Sequence, residues 1–253
     1  MATSVSPWII SALAYEKHIC LVGLITNSVH LIVLVQKEMR TTSINIILLG
    51  IAASDLYYTG HPVIAFLITI IQNMVQKCIN HPDPYLMVYL SWIAESFRDD
   101  FARCTMLLGL SMALIRLIVI RNPLKSNHLT SAKFGWKTVF LVFILSSTIS
   151  FCYWFRFEIT ALFTWKPDRK TCDLTGFPDN YSAKVYTPFI SLSRGKWLSI
   201  FYLLADGLVS KLLPIIFFPI FSLFLVYELH QIAENRDKML SDRRNEKLVI
   251  RVP

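Results

Sequence analysis

From Cys104 to Ile115 the chain reads CTMLLGLSMALI without a formal charge, and four more apolar residues follow Arg116. A helix that crosses a bilayer needs about 20 mostly apolar residues, and 101–120 has that length if Arg103 and Arg116 can be accommodated. Both stand near enough to a helix end to snorkel, with the stem in the apolar layer and the head at its edge. The other reading of Arg116 is a guanidinium facing the interior of a bundle, because ionisable groups within spans mark functional positions.

Apolar blocks of this kind recur, so the reading extends to the whole chain. Spans are expected at about 15–35, 43–71, 87–120, 138–157 and 197–227, with an extracellular N-terminus at 1–14 and a charged cytoplasmic tail at 228–253. The predicted fold class is all-α, a polytopic transmembrane helix bundle. Charged residues are 17% of the chain and mean hydropathy is +0.50, whereas soluble domains carry roughly 25% charge. The net charge of +8 resides mostly in loops. That placement fits an anionic membrane surface better than nucleic acid. No Asp or Glu occurs from Arg116 through Phe157, while Arg121, Lys125, Lys133 and Lys137 flank the membrane ends. The intervening loop is therefore cytoplasmic by the positive-inside rule. Parity then places Glu158–Lys196 outside as a long polar loop, where the Asn180-Tyr181-Ser182 sequon would be usable. Met1–Ser11 lacks a basic start and a small-residue cleavage site, so the first helix is expected to act as its own insertion signal.

Polar residues inside the spans carry the functional reading. Asn27 lies within the first, where a lone Asn also serves as helix-to-helix glue. Asp55 falls near the middle of the second, at about 2.5–3.5 kcal/mol on insertion scales. It should be protonated, bonded to Asn27 or neutralised by a cation. Pro62 should bend that helix. The third opens with SWIAESFRDDFARC, in which Glu95, Arg98, Asp99 and Arg103 have the spacing for intrahelical pairs. The fourth has SSTIS at its centre, small hydroxyl residues that permit close approach and bond back to their own backbone. The fifth holds Asp206 and Lys211 above Pro214 and Pro219; a snorkelling Lys is an equally good reading of Lys211.

Arg116 stands seven residues before Pro123-Leu124. This spacing resembles the Asp-Arg-Tyr…Pro-Leu segment that closes the third helix of rhodopsin-like (class A) G-protein-coupled receptors, with Ile115 and Leu117 in place of Asp and Tyr. The run MALIRLIVIRNPL resembles more narrowly the nematode class W serpentine receptors, relatives of FMRFamide-type neuropeptide receptors. NIILLGIAASD resembles the family's second-helix motif through Asn45, Leu48, Ala52 and Asp55, and Asn27 resembles its first-helix Asn. The fourth helix lacks the family's usual Trp.

The resemblance implies several roles. Arg116, Pro123 and Leu124 would receive a heterotrimeric G protein once a sixth helix swings outward. Asp55, Asn27 and the Thr105 hydroxyl would form an intramembrane polar site able to hold a sodium ion, with no other cofactor. Arg98, Asp99 and Asp206 would lie at the depth of the ligand pocket, which would take an extracellular peptide or small molecule. The family bridge ties the top of the third helix to the outer loop. Ser91 occupies that position here, so a displaced Cys78–Cys172 bridge is expected, with two free thiols as the alternative. No sixth or seventh apolar block follows EKLVI, so the expectation is a receptor truncated after its fifth helix and unable to signal alone. A transporter or channel subunit lined by Asp55, Arg98 and Asp99 is the competing reading, although no repeat halves are evident. No histidine spacing suits a metal, and Gly-x-Ser-x-Gly and HExxH are absent, so no catalysis is expected.

Overall fold

The computed structural model describes residues 7–75, 81–123, 126–155, 157–168, 177–178, 180–190 and 195–249. Helix α1 spans Pro7–Leu34, α2 Ser43–Val75, α3 Tyr85–Arg121 and α4 Ala132–Phe155. Strands β1 (Phe157–Trp165) and β2 (Ala183–Ile190) follow, then α5 (Gly195–Asp206), a π-helical turn (Gly207–Leu212) and α6 (Leu213–Val249). The last three run on without a break as the expected fifth span and its charged continuation. Each helix overshoots its apolar block. α1 begins at Pro7, inside the segment expected to be an N-terminal extension, and α4 begins at Ala132 where 138 was expected. Backbone hydrogen bonding continues past the apolar stretch because the flanking residues have adequate helix propensity.

Among the described residues, four helices are long and apolar enough to cross a membrane: Tyr15–Leu34, Tyr85–Arg121, Ala132–Cys152 and Lys196–Arg236. α2, at 33 residues, has the length, but Asp55, Thr59 and His61 dilute its apolar character. It compensates by packing against α1, α3 and α4, which gives its polar middle neighbours other than lipid. α1 shows the opposite pattern. Ile19, Val22, Ile25, Val29 and Ile32 are exposed along it, an apolar surface that suits acyl chains and not water.

The tightest packing joins α2, α3 and α4. Ile46 and Ile47 are fully buried, and Ile47 clusters with Cys104, Leu107, Leu108, Ile115 and Val142. Gly135 permits the approach of α4 to α2: a Cβ there would lie 2.8 Å from both Ile46 Cβ and the Ser43 backbone. Small residues at such crossings let backbones close in lipid, where no hydrophobic force pushes helices together.

The π turn has a local cause. Pro214 has no N–H to give the carbonyl four residues back, and its ring crowds that turn. A widened turn immediately before it relieves the clash. Pro62 sits within α2, which continues to Val75.

The long loop expected to lie outside is not irregular. Between α4 and α5, β1 and β2 pair antiparallel from Phe157↔Ile190 to Trp165↔Ala183, with a register shift between Ala161 and Phe163. β-branched and aromatic residues such as Ile159, Thr164, Val185 and Tyr186 favour this pleated surface. His81 packs edge-on to Trp165 and stacks with Tyr181, which ties the segment before α3 to the hairpin end of the bundle.

Candidate functional site

A cavity of about 310 Å³ opens between α2, α3 and the α5–α6 rod, lined by Asp55, Tyr58, Asp99, Arg103, Thr105, Met106, Asp206, Ser210 and Lys211. Four of the expected site residues meet here: Asp55, Asp99, Thr105 and Asp206. α3 supplies several of them because Asp99, Arg103 and Met106 lie three or four residues apart, on neighbouring turns of one helical face.

Arg103 organises the wall. It is 2% exposed, far from the snorkelling position its sequence context allowed. Its Nη1 donates to Asp206 Oδ1 at 2.9 Å and its Nε to Ser146 Oγ at 3.3 Å, and Nη2 donates to Ser150 Oγ. Asp206 Oδ1 also accepts from Ser210 Oγ at 2.7 Å. A guanidinium in low dielectric needs a carboxylate and filled donor positions, and α4 and α5 provide both. The α4 hydroxyls expected to bond back to their own helix divide. Thr148 does so, donating to Ile144 O at 2.8 Å, whereas Ser146 and Ser147 donate across to Asp100 O and Asp100 Oδ2 at 2.9 Å each.

At the opposite wall, Thr105 Oγ1 donates to Asp55 Oδ1 at 2.7 Å. Asn27 is not part of this arrangement. Its Nδ2 donates to Gly23 O at 3.0 Å within α1, because a carbonyl four residues back is nearer than a carboxylate on another helix. Asp55 and Thr105 thus present one carboxylate and one hydroxyl, and two side chains do not enclose a hard cation unaided. Among the described residues, no group of three or more His, Cys, Asp and Glu could hold a metal ion.

Arg98 lies elsewhere. It pairs with Glu16 of α1 at 2.8 Å and with Glu95 at 3.2 Å, and its guanidinium sits 4.9 Å from the Tyr58 ring centroid. His61 Nδ1 is 3.5 Å from the same Glu95 carboxylate. The expected Glu95–Arg98 pair is present, and Glu16 was the unforeseen partner. Arg98 therefore ties α1 to α3 beside the cavity and does not line it.

Arg116 falls on the α3 face that carries Thr105 and Gly109, at steps of four and seven residues. It is exposed, however, and makes no hydrogen bond or ion pair among the described residues. The buried positions at that level are its neighbours Ile115 and Leu117, so the expectation of an enclosed guanidinium is corrected. Further along α3, Arg121 Nε pairs with Glu228 Oε1 of α6 at 2.9 Å. Pro123 is exposed, and Leu124, Cys78 and Cys172 lie outside the described residues. Cys20, Cys104 and Cys152 are unpaired thiols on helices. Asn180 is exposed in a turn at φ 65°, a left-handed conformation that Asn tolerates.

Arg103, Tyr58 and Ser210 were missed as site residues. The signal for Arg103 was the clustered hydroxyls of α4, which suit a multiply bonded donor as well as close packing.

A bundle of long apolar helices with a polar cavity between α2, α3 and α5 agrees with the comparison against protein families. The family model for the serpentine type 7TM GPCR chemoreceptor Srw matches residues 14–252. A search of curated proteins gave no match. With nearly the whole chain matched, this protein belongs to the Srw family of serpentine seven-transmembrane chemoreceptors, a G-protein-coupled receptor family and not an enzyme family.

Proposed function

We propose that these helices serve a plasma-membrane receptor whose hairpin end and N-terminus face outside. A peptide or small molecule enters the cavity between α2, α3 and α5. Its arrival is passed to a heterotrimeric G protein at the opposite end, through Arg116, Pro123 and Leu124. The observation that carries this reading is the Arg103–Asp206 bridge in the cavity wall. A ligand that competes for Asp206 or Asp99 redistributes bonds linking α3 to α4 and α5. That differential contact can bias two bundle packings. Exposure suits Arg116 for the coupling role, since a guanidinium without an internal partner is free to take an acceptor from another protein.

A sodium ion at Asp55 would be held by the carboxylate and the Thr105 hydroxyl, with water completing its shell. It would supply counter-charge to a carboxylate in the middle of the bundle. Glycosylation of Asn180 and a Cys78–Cys172 bridge belong to the same proposal, since both require the hairpin end to face outside.

The test is a G-protein dissociation assay in cells expressing the receptor, screened with amines and short peptides. A hit should be lost in Asp99→Asn or Asp206→Asn while surface expression persists, and Arg116→Ala should abolish the response without changing ligand affinity by more than about twofold. Ligand responses that survive all three substitutions would overturn the assignment.

A further inference from the structure

A second cavity, of about 410 Å³, lies outside the helical core where α3, α4 and β1 meet at the hairpin end. Its walls are mostly aromatic. Tyr85, Tyr89 and Trp92 recur at steps of four and three along the first turns of α3, which places them on one stripe. Trp154 and Phe155 close α4, and Phe157 opens β1. All six rings line the same space, and Glu158 adds a carboxylate to it. Ring pairs define the corners: Trp92 and Phe157 have centroids 4.6 Å apart, Tyr89 and Trp154 6.4 Å, and Trp154 and Phe155 5.8 Å with planes at 82°. Tyr85 and Phe155 are exposed and form the mouth.

Interfacial Trp and Tyr commonly face headgroups one at a time. Here rings from three elements wall one cavity that also contains an acid. Aromatic faces carry negative quadrupole charge, and cages of them recognise alkylated ammonium groups. The volume lies within the small-ligand range of roughly 300–1,000 Å³. We infer that the cavity walled by Tyr85, Tyr89, Trp92, Trp154, Phe157 and Glu158 binds a quaternary or alkylated ammonium group. The site is separate from the cavity around Arg103 and does not depend on the receptor reading. Two sources carry this chemistry, the headgroup of a choline lipid and a free quaternary amine. Trp154 also lines an apolar cavity of about 300 Å³ with Ile93, Phe97 and Phe151, where an acyl chain could follow a headgroup.

The experiment uses the full chain in nanodiscs, titrated with choline chloride against 3,3-dimethylbutan-1-ol, its neutral isostere, at matched ionic strength. Binding is read by thermophoresis and bound lipid by native mass spectrometry. In phosphatidylglycerol discs choline should bind and the isostere should bind at least about tenfold more weakly. Glu158→Gln and Trp154→Leu should each weaken choline binding about tenfold, and Trp154→Phe less. In phosphatidylcholine discs, loss of free-choline binding together with a retained choline-lipid adduct that Glu158→Gln removes would identify the lipid as occupant. Unchanged choline binding there would identify the free amine. Glu158 is exposed, so its substitution keeps the test valid should the Trp154 variants fail to fold. The inference is overturned if choline and its isostere bind alike, or if phosphatidylglycerol discs show no choline binding and phosphatidylcholine discs no adduct.

Discussion

Replacing Asp206 should cost the bundle more than replacing Arg103, although the two form one pair. The Arg103 side chain is 3% exposed and that of Asp206 25%. Removing a partner from a buried pair costs about 3–5 kcal/mol, chiefly because the surviving charge is left uncompensated. Asp206→Ala leaves the guanidinium without its bonded carboxylate, with the Ser146, Ser150 and Tyr202 hydroxyls beside it and Asp99 in the same cavity wall, and its cost should fall within that range. Arg103→Ala strands a carboxylate that is partly exposed and still accepts from Ser210. Its cost should fall nearer the price of one lost charged hydrogen bond, about 1.5–3 kcal/mol. The double variant Arg103→Leu/Asp206→Leu removes both charges and should recover most of the loss, because apolar replacement of a buried pair is often close to neutral. At roughly 2–4 °C per kcal/mol for a chain of this size, Asp206→Ala should lower the melting midpoint by about 6–20 °C. The assay is thermal unfolding of purified receptor in detergent, followed by size-exclusion recovery. Additive losses in the double variant, or a larger loss for Arg103→Ala, would refute the description of Arg103 as a desolvated cation held by Asp206.

Thr105→Val removes the donor to Asp55, and the stranded carboxylate should lower stability by about 1–3 kcal/mol, read as a reduced melting midpoint that Asp55→Asn on the same background restores in part. Gly135→Val puts a β-branched side chain where a single Cβ already meets Ile46 and the Ser43 backbone at 2.8 Å. It should abolish surface expression measured by flow cytometry, whereas Gly207→Ala, with nothing within 4 Å of the new Cβ, should not. Asn180→Gln should remove a glycosidase-sensitive mass shift on gels, and an unchanged migration of both forms would place the hairpin on the cytoplasmic side.

The order of the long apolar helices was legible because lipid imposes a length and an apolarity that composition records directly, although only four of the five expected spans meet that measure among the described residues. Asp55 with Thr105 was legible too, since a mid-span carboxylate demands a partner and the resemblance supplied its position. The partner of Arg98 was harder to read. Intrahelical spacing pointed to Glu95, and Glu16, 82 residues away, became its neighbour only through the packing of α1 on the bundle. Arg103 was misread because snorkelling depends on which way a side chain points relative to lipid, and no property of the third helix alone sets that direction. The hairpin was missed because a loop rich in charge and Pro obscures the alternation in FEITALFTW. The extra residue at the register shift between Ala161 and Phe163 also breaks the period that would have revealed it.

The polar groups of α3 reach different partners at successive depths. Arg98 reaches Glu16 of α1, and Tyr57 of α2 donates to the Ala94 carbonyl at 3.2 Å. Asp100 and Arg103 take the α4 hydroxyls, and Arg103 takes Asp206 of α5. Thr105 reaches Asp55 of α2, and Arg121 reaches Glu228 of α6. Apolar contacts alone would let a helix in lipid rotate or slide at little cost, because acyl chains replace side chains as neighbours. These bonds point in different directions from a single axis, so no one rotation of α3 keeps them all. A movement of α3 must therefore exchange bonds in discrete steps, and the two pairs that line the cavity, Arg103 with Asp206 and Thr105 with Asp55, are the ones open to exchange from it.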